Sequence, residues 1–150
     1  MPPAEPVFVD TSGWIALLNA DDQFHSAAAA LMGQFQTARR RIVTTDWVLA
    51  ETGNGLARTR ARAAFANAVK TMLASPQFRL VRVTEELFQL SLEHYHRAED
   101  KTWGWIDCAS FLVMEREGIR DAMTTDTHFE QAGFRRLLAA VRGRSESGER

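Results

Sequence analysis

The sequence predicts an α/β fold with a central, mainly parallel sheet of four or five strands. Short apolar runs alternate with segments of helical periodicity, as they do where crossover helices connect parallel strands. A length of 150 residues suits one domain, and a hydrophobic content of 45% is enough for a core. We therefore expect a single domain over residues 1–141.

The first half of the chain carries two predicted strands. The first runs from Val7 to Asp10, and the hydroxyls of Thr11 and Ser12 can cap the helix that follows it. The other predicted elements of this half are a helix from Phe24 to Gln36, a strand from Arg41 to Thr44, a helix capped by Thr45 or Asp46 that breaks near Gly53 and Gly55, and a helix from about Thr59 to Ala74.

The second half carries the remaining strands. We predict a strand from Phe78 to Val83, a helix from Thr84 through Tyr95, a loop from His96 to Lys101, a helix from Trp103–Ile106 to Glu117 with Gly118 as its C-cap, a strand from Met123 to Thr125, a short helix capped by Asp126 or Thr127, and an edge strand from Phe134 to Leu138. The charged tail, residues 142–150, is rich in Gly and Ser and is predicted to be disordered.

Composition narrows the class of protein. The opening residues have no basic and apolar leader pattern, and no apolar run approaches the roughly 20 residues that a membrane span needs. Cys108 is the single cysteine, which excludes an internal disulfide. We expect a soluble cytoplasmic protein that does not enter a membrane.

Basic residues are clustered although 18 basic and 19 acidic side chains nearly cancel. One cluster is Arg39–Arg41, and the other comprises Arg58, Arg60 and Arg62. Each is either a solvated face or part of a basic rim that holds a polyanion.

Four acidic residues interrupt apolar surroundings. Asp10 ends the first strand, Glu51 shares a helix face with Trp47 and Val48, Asp107 opens an apolar helix, and Asp126 follows a strand. Carboxylates avoid such places unless they are paired or bind a cation. In parallel sheets, ligands collect beyond the carboxyl ends of the strands. Carboxylate oxygens there indicate Mg²⁺ or Mn²⁺, and hence phosphate chemistry.

Each acid also has a structural interpretation. Asp10 and Asp126 can cap the helices that follow them, and Asp107 can favour its helix dipole. Glu51 can pair with an arginine such as Arg58. For Asp126 we expect an indirect, water-mediated contact with the metal.

Five further residues are supporting candidates. Thr11 and Ser12 can hydrogen-bond a metal water or a phosphate, or can simply cap a helix. Asn54, almost one helical turn after Glu51, can orient that carboxylate. Asp100 and Lys101, in the loop before Asp107, can add an outer carboxylate and a phosphate contact; solvated loop residues are the alternative.

The motifs around the four acids resemble PIN-domain ribonucleases, and in particular the VapC toxins of toxin–antitoxin pairs. They are Val-Phe-Val-Asp10-Thr11-Ser12, Ala50-Glu51-Thr52, Asp107-Cys108-Ala109-Ser110-Phe111 and Thr124-Thr125-Asp126-Thr127-His128-Phe129. The resemblance spans residues 7 to 138. It implies a three-layer α/β/α sandwich, Mg²⁺- or Mn²⁺-dependent RNA cleavage, a homodimer, and an antitoxin whose tail enters the active site. Related sequences often have Thr immediately before the third acid, where this chain has Ile106.

For such an enzyme we expect in-line attack by a metal-activated water, which leaves a 5′-phosphate and a 3′-hydroxyl, with two ions roughly 3.5 to 4 Å apart when fully loaded. Two other classes stay open. A phosphohydrolase with Asp10 as covalent nucleophile would want a second aspartate where Ser12 stands. A catalytically weak or inactive module would use the acids only to hold RNA or a partner's arginine.

Overall fold

A computed structural model describes residues 3–139, which are built around one sheet of five parallel strands. The strands are β1 (Val7–Val9), β2 (Ile42–Thr45), β3 (Phe78–Val81), β4 (Asp121–Met123) and β5 (Arg135–Arg136). Their order across the sheet is β3-β2-β1-β4-β5, and every neighbouring pair is parallel. All five strands therefore end at the same edge of the sheet.

Seven helices connect the strands. They are α1 (Thr11–Leu18), α2 (His25–Thr37), α3 (Asp46–Leu56), α4 (Arg62–Ala74), α5 (Glu85–Arg97), α6 (Trp105–Glu117) and α7 (Thr127–Gln131). The chain moves outward from β1 to β3 and then returns to add β4 on the other side of β1. Because parallel crossovers are right-handed, this reversal places α1–α4 on one face of the sheet and α5–α7 on the other. Consistent with this, α1 packs on α2 and α3, while α6 packs on α5 and α7.

Polar residues at the strand ends begin the helices. Asp10, Thr45, Thr84 and Asp126 each accept a hydrogen bond from a backbone N–H of the first turn. Two of these residues directly follow or end a strand, so the same residue stops pairing in the sheet and caps the next helix. Thr11 and Ser12, which the sequence offered as caps of α1, are inside the helix, and Asp10 takes that role.

The first turn of α1 lies unusually close to β4. A Cβ atom at Gly13 would stand 2.1 Å from the carbonyl oxygen of Met123 and 2.9 Å from a methyl carbon of Val9. Only glycine fits at this position of α1, where the helix packs against β4 and β1. The absence of a side chain at Gly13 thus brings the start of α1, with Asp10, against the end of β4.

The core fills both sides of the sheet. All three residues of β1 have no solvent-exposed surface, and Trp14 of α1 and Phe111 of α6 are buried on the flanking helices. Phe111 meets Phe129 of α7 edge to face, with ring centroids 4.9 Å apart. The predicted fold class agrees with this architecture, since the short apolar strands need cover on both faces.

Several predicted boundaries differ from the structure. The expected break near Gly53 and Gly55 is wrong, because α3 continues to Leu56. The space above Gly53 is taken by the ring of Phe65 from α4, 2.9 Å from where a Cβ would be, so the glycine serves helix packing. The predicted strand Met123–Thr125 is shifted, since β4 pairs through Asp121–Met123 and then leaves the sheet. Gly118 is the expected left-handed C-cap of α6, with φ of 66°.

The shorter elements differ at their ends. Strand β3 stops at Val81, and β5 is restricted to Arg135–Arg136. Helix α5 extends to Arg97, so the predicted loop begins later than His96. The predicted disordered tail, residues 142–150, lies outside the described residues. Within residues 3–139, no helix combines the length and apolarity needed to cross a bilayer.

Candidate active site

The candidate site lies where the order of the strands reverses, between β1 and β4. Asp10 directly follows β1, and Asp126 follows β4 by three residues. Glu51 is carried by α3, which begins where β2 ends, and Asp107 is in the first turn of α6. A reversal of strand order opens a crevice at the carboxyl edge of an α/β sheet. The fold thus brings the four acids towards this edge of the sheet from four different parts of the chain.

Asp10 is the buried member of the set, with 6% of its surface exposed. Its Oδ1 accepts from the Gly13 N–H at 2.9 Å and from the Ser12 hydroxyl at 2.8 Å, and its Oδ2 accepts from the Thr124 hydroxyl at 2.7 Å. Burial raises the pKa of Asp10 to about 6, against the lowering effect of these donors. Three hydrogen bonds thus hold the carboxylate in a place where burial penalises its charged form, a penalty that a nearby cation would offset.

Asp126 connects the two halves of the site. Its negative charge contributes to raising the pKa of both Asp10 and Asp107, so its carboxylate lies near each. Its backbone N–H donates to Thr124 Oγ1 at 2.9 Å, and the same hydroxyl donates to Asp10. The structural interpretation also holds, because Asp126 Oδ1 accepts from the His128 N–H at 2.9 Å and caps α7. The cap uses Oδ1 and, within the described residues, leaves Oδ2 without a hydrogen-bond donor.

Asp107 projects from the start of α6. Its Oδ2 accepts from the Gly104 N–H at 3.0 Å, which satisfies one of the free donors at that helix start. Burial raises the pKa of Asp107, and the charge of Asp126 adds to that rise. Among the described residues, Asp107 Oδ1 and Asp126 Oδ2 accept no hydrogen bond, so each acid keeps an oxygen for another ligand.

His128 stands between these two carboxylates, and the sequence did not single it out as a ligand. Its Nδ1 is 3.2 Å from Asp126 Oδ1 and 3.4 Å from Asp107 Oδ2. Its Nε2 is 2.9 Å from Thr102 Oγ1. Asp107, Asp126 and His128 each offer a ligand atom within 4.8 Å of the others, a spacing that suits a metal ion.

Glu51 differs from its prediction. The sequence placed it on one apolar face with Trp47 and Val48, but Val48 points into the core and Glu51 is exposed. Successive helical residues are about 100° apart, so a carboxylate three positions after a core residue can still turn to solvent. Its partner is Thr11, whose hydroxyl donates to Glu51 Oε1 at 2.5 Å, and not Arg58. Through Thr11, Glu51 is tied to the residue that follows Asp10.

The supporting candidates divide into two groups. Thr11 and Ser12 are in the site, since they bond to Glu51 and Asp10. Asn54 and Glu51 line one surface groove together with Trp47 and Trp105. Within the described residues, Asn54 makes no hydrogen bond to the Glu51 carboxylate.

Asp100 and Lys101 form an exposed pair with each other at 3.5 Å, and the Lys101 ammonium lies over the Trp103 ring, 5.9 Å from its centroid. Neither makes a contact with the four acids within residues 3–139. Of the two alternatives left open for Arg39–Arg41, the basic rim beside the acids does not fit, because these residues precede β2 at the opposite edge of the sheet, where Arg40 pairs with Asp121 at 2.9 Å.

An aromatic groove borders the site on the side of Glu51. It is lined by Trp47, Ala50, Glu51, Asn54, Trp105 and Ile106, and has a volume of about 400 Å³. The Trp47 and Trp105 rings meet edge to face at 5.3 Å, and Phe88 meets Trp105 at 4.9 Å. The Trp105 indole N–H donates to Ser91 Oγ at 2.8 Å, which fixes its ring. Ile106 lines this groove, so the position before the third acid contributes apolar surface here.

The Cys108 side chain is buried in the core and is not available for catalysis. It is fully buried, and burial together with the charge of Asp107 raises the pKa of its thiol to about 11. A thiol with so high a pKa is not ionised at neutral pH and is a poor nucleophile. Cys108 is therefore a packing residue of the core.

Sequence reasoning missed Thr124 and Thr102 as well as His128. Thr124 bridges Asp10 and Asp126, and Thr102 holds the far side of the His128 ring. The signal for Thr124 and His128 was present in the run Thr124-Thr125-Asp126-Thr127-His128, where a hydroxyl and an imidazole flank the acid at spacings of two. The contact of Thr102 depends on how the loop folds and had no local signal.

Fold and site together define the class of this protein. Residues 7–135 match the family model of the PIN domain, and the chain belongs to this family. This confirms the predicted family and the three-layer α/β/α sandwich.

The chain is 34% identical over 128 residues to VapC20 of Mycobacterium tuberculosis, a 23S rRNA-specific endonuclease, and the match covers 85% of this chain and 95% of VapC20. The crystal structure of VapC20, a sarcin-ricin loop cleaving toxin, matches with a TM-score of 0.76 at 33% identity over 86% of this chain and 96% of VapC20. VapBC2 from Rickettsia felis, bound to a DNA fragment from their promoter, shares the fold with a TM-score of 0.58 at 12% identity over 87% of this chain and 94% of that chain.

Proposed function

We propose that this protein is a metal-dependent endoribonuclease and the toxin of a toxin–antitoxin pair. The single observation that carries the proposal is the position of Asp126, which offers a ligand atom within 4.8 Å of one on Asp107 and is joined to Asp10 through the Thr124 hydroxyl. Among relatives, VapC20 is a 23S rRNA-specific endonuclease, and nearly its whole length is matched. We propose the same substrate class here, a structured loop of 23S rRNA.

The donor set fits Mg²⁺ or Mn²⁺. Asp10 and Asp107 have raised pKa values because burial penalises their charge, and a divalent cation would offset that penalty. Asp107 Oδ1 and Asp126 Oδ2 accept no hydrogen bond within the described residues and remain available as hard oxygen ligands. We propose that Asp10, Asp107 and Asp126 hold the ion, with Glu51 at the exposed side.

When bound, the ion would supply Lewis acidity that makes a water nucleophilic at neutral pH and offsets charge on the phosphodiester. The residues of the chain supply the positioning. Ser12, Gly13 and Thr124 fix the Asp10 carboxylate with three hydrogen bonds, so its oxygens cannot rotate away from the site. Thr11 fixes Glu51 in the same way. Such a preorganised carboxylate set needs little rearrangement during the reaction.

The two alternative classes fit less well. A covalent aspartyl mechanism would want a second aspartate two residues after Asp10, and Ser12 stands at that position. A purely binding module gives no reason for two acids with raised pKa values in one crevice.

The proposal includes partners. VapC20 is named as a toxin, and a toxin of this class requires an antitoxin, so we propose that a small antitoxin protein covers the crevice of this chain. We propose a cytoplasmic location, because the proposed substrate, ribosomal RNA, is found there. An arginine from the antitoxin would suit the four carboxylates, since its guanidinium binds carboxylates in a bidentate manner.

We further propose a homodimer that uses the outer face of α5. Phe88, Leu92 and Tyr95 are 39%, 39% and 48% exposed and recur at helical spacing, which forms an apolar stripe. The stripe continues into the aromatic groove through the contact of Phe88 with Trp47 and Trp105. A second copy of the chain is a partner that such a stripe suits, because identical stripes can pair about a two-fold axis.

The proposed activity is tested with protein freed of any antitoxin. Ribosomes or a 23S rRNA fragment are incubated with Mg²⁺, with Mn²⁺ or with EDTA, and new RNA 5′ ends are mapped. We expect cleavage only with a divalent ion and at one stem–loop.

Asp10→Asn and Asp107→Asn should lower the rate by about 100-fold or more, on the scale of losing a group that stabilises transition-state charge. Asp100→Asn is the matched control, since Asp100 is an acid outside the site. Cleavage that persists in EDTA or in both site variants would exclude the proposal.

A further inference from the structure

We propose that His128 is a nitrogen ligand of the site and makes it favour Mn²⁺ over Mg²⁺. This inference rests on the proposed metal-dependent function and concerns which ion the site selects. The key atom is His128 Nδ1, a buried ring nitrogen that makes no hydrogen bond of acceptable geometry within the described residues, although two carboxylate oxygens lie within 3.4 Å of it.

The spacing of the three groups matches a shared cation. Nδ1 is 3.2 Å from Asp126 Oδ1 and 3.4 Å from Asp107 Oδ2. Two adjacent ligands on an octahedral ion, each about 2.1 Å from it, lie about 3 Å apart. The imidazole nitrogen is therefore about as far from each carboxylate as neighbouring ligands of one ion are from each other. The other oxygens of these two carboxylates, Asp107 Oδ1 and Asp126 Oδ2, accept no hydrogen bond within the described residues and are available to the same ion.

The far side of the ring is held for this role. Thr102 Oγ1 is 2.9 Å from His128 Nε2, so its hydroxyl can accept the Nε2 hydrogen. That bond favours the tautomer in which Nδ1 carries a lone pair, as outer partners do for metal-binding histidines elsewhere. The backbone N–H of His128 is bonded to Asp126, which fixes the first turn of α7 and with it the direction of the ring.

The type of ligand atom determines whether the site prefers Mg²⁺ or Mn²⁺. Mg²⁺ prefers oxygen ligands and keeps much of its water, whereas imidazole is a good ligand for divalent transition metals. A site with carboxylates alone would discriminate little between Mg²⁺ and Mn²⁺. The addition of one imidazole nitrogen shifts the preference towards Mn²⁺.

The alternative is that His128 only pairs with the two acids and leaves when a cation binds. The two roles give opposite results when the imidazole is removed. A ligand stabilises the bound ion, so its loss weakens Mn²⁺ binding more than Mg²⁺ binding. A mere counter-charge competes with both ions, so its loss strengthens both or changes neither.

The test compares the wild-type protein with His128→Asn and with His96→Asn as a matched control, because His96 is an exposed histidine that pairs with Glu99 and lies outside the site. MnCl₂ and MgCl₂ are titrated separately by calorimetry, and the Mn²⁺-loaded proteins are examined by pulsed EPR for coupling to ¹⁴N. We expect ¹⁴N coupling in the wild type and in His96→Asn, and its loss in His128→Asn. Mn²⁺ affinity should fall about tenfold or more in His128→Asn, with a smaller fall for Mg²⁺.

A positioning variant sharpens the result. Thr102→Val keeps the shape of the threonine and removes the hydroxyl that bonds Nε2. We expect it to retain ¹⁴N coupling and to weaken Mn²⁺ binding by less than His128→Asn does.

Wild-type protein that binds Mn²⁺ without ¹⁴N coupling, or an unchanged ratio of Mn²⁺ to Mg²⁺ affinity in His128→Asn, would overturn the inference and leave the proposed ribonuclease function standing. If the wild type bound neither ion and cleaved no RNA, the proposed function would fail as well.

Discussion

The hydroxyl of Thr124 donates to Asp10 Oδ2 at 2.7 Å, although the two residues are 114 positions apart in the chain. The same hydroxyl oxygen accepts from the Asp126 N–H at 2.9 Å. One buried side chain therefore connects the acid after β1 with the acid after β4, across the point where the order of the strands reverses. The relative position of the two acids depends on this contact.

Thr124→Val should damage the site with little change in shape. Valine fills the same volume, but it leaves Asp10 Oδ2 without its donor and the Asp126 N–H without its acceptor. We expect a loss of about 1 to 3 kcal/mol in the free energy of unfolding, as for a buried polar group left unpaired, and slower RNA cleavage. Urea denaturation and single-turnover cleavage measure the two effects.

Thr125→Val is the matched control, since the Thr125 side chain makes no hydrogen bond with any residue in the range 3–139. Equal behaviour of the two variants would show that the bridge does not position the acids.

Asp10 should make metal-free protein less stable as the pH rises. Burial raises its folded-state pKa to about 6 from 3.8, so between these values the folded chain binds more protons than the unfolded chain. The stability that Asp10 contributes is present below about pH 4 and is lost as the pH rises through 6. Asn at this position does not titrate.

Wild-type protein should therefore lose about 3 kcal/mol of its free energy of unfolding relative to Asp10→Asn between pH 4 and pH 7.5, since one pKa unit is about 1.4 kcal/mol. Denaturant titrations in EDTA across this range measure it. Saturating Mg²⁺ should stabilise the wild type at pH 7.5 and remove most of the advantage of the variant. A difference that is independent of pH would contradict the raised pKa.

Gly13 should tolerate no side chain. The Cβ of Gly13→Ala would stand 2.1 Å from the Met123 carbonyl oxygen, which belongs to the backbone of β4 and cannot turn aside. We expect a loss of about 3 kcal/mol in the free energy of unfolding, at the upper end for overpacked cores. Activity should fall too, since α1 carries Ser12 and Thr11 into the site.

Gly33→Ala is the control for this change. Gly33 is in the interior of α2, and nothing lies within 4 Å of where its Cβ would be. Alanine favours helix by about 1 kcal/mol over glycine, so this variant should be more stable than wild type. Thermal denaturation of the two variants should shift in opposite directions; a stabilised Gly13→Ala would contradict the close approach of α1 and β4.

The positions of Asp10 and Asp126 were predictable, because strand ends can be found from apolar runs and parallel strands share one carboxyl edge. The exposure of Glu51 was not, because a helix with apolar residues at Trp47 and Val48 does not by itself say which side faces the core. Glycines at 53 and 55 suggested a break, but packing of Gly53 on Phe65 of α4 and of Gly55 on Ile15 of α1 overrode local propensity.

His128 and Thr124 are a different case. Both flank Asp126 at a spacing of two, and that part of their role is visible in the local sequence. Their contacts with Asp10 and Asp107 join residues 114 and 21 positions apart, and local sequence carries no information on such pairs. The depth of Asp10 burial, and hence its raised pKa, likewise follows from tertiary packing alone.

The apolar stripe on α5 should make the protein a dimer in solution. Phe88→Glu puts a charge at the junction of the stripe and the aromatic groove, where its ring now contacts Trp47 and Trp105. Truncation or burial of charge at the centre of an interface typically costs about 2 kcal/mol or more, so dimer affinity should fall by at least tenfold. Sedimentation velocity over a concentration series measures this, and near-UV circular dichroism reports whether the tryptophans keep their packing.

Gln89→Glu makes the same charge change one position along α5, at an exposed residue off the stripe, and should leave the dimer intact. A wild-type protein that stays monomeric at high concentration, or a Phe88→Glu variant that dimerises as tightly as Gln89→Glu, would show that this stripe serves another partner.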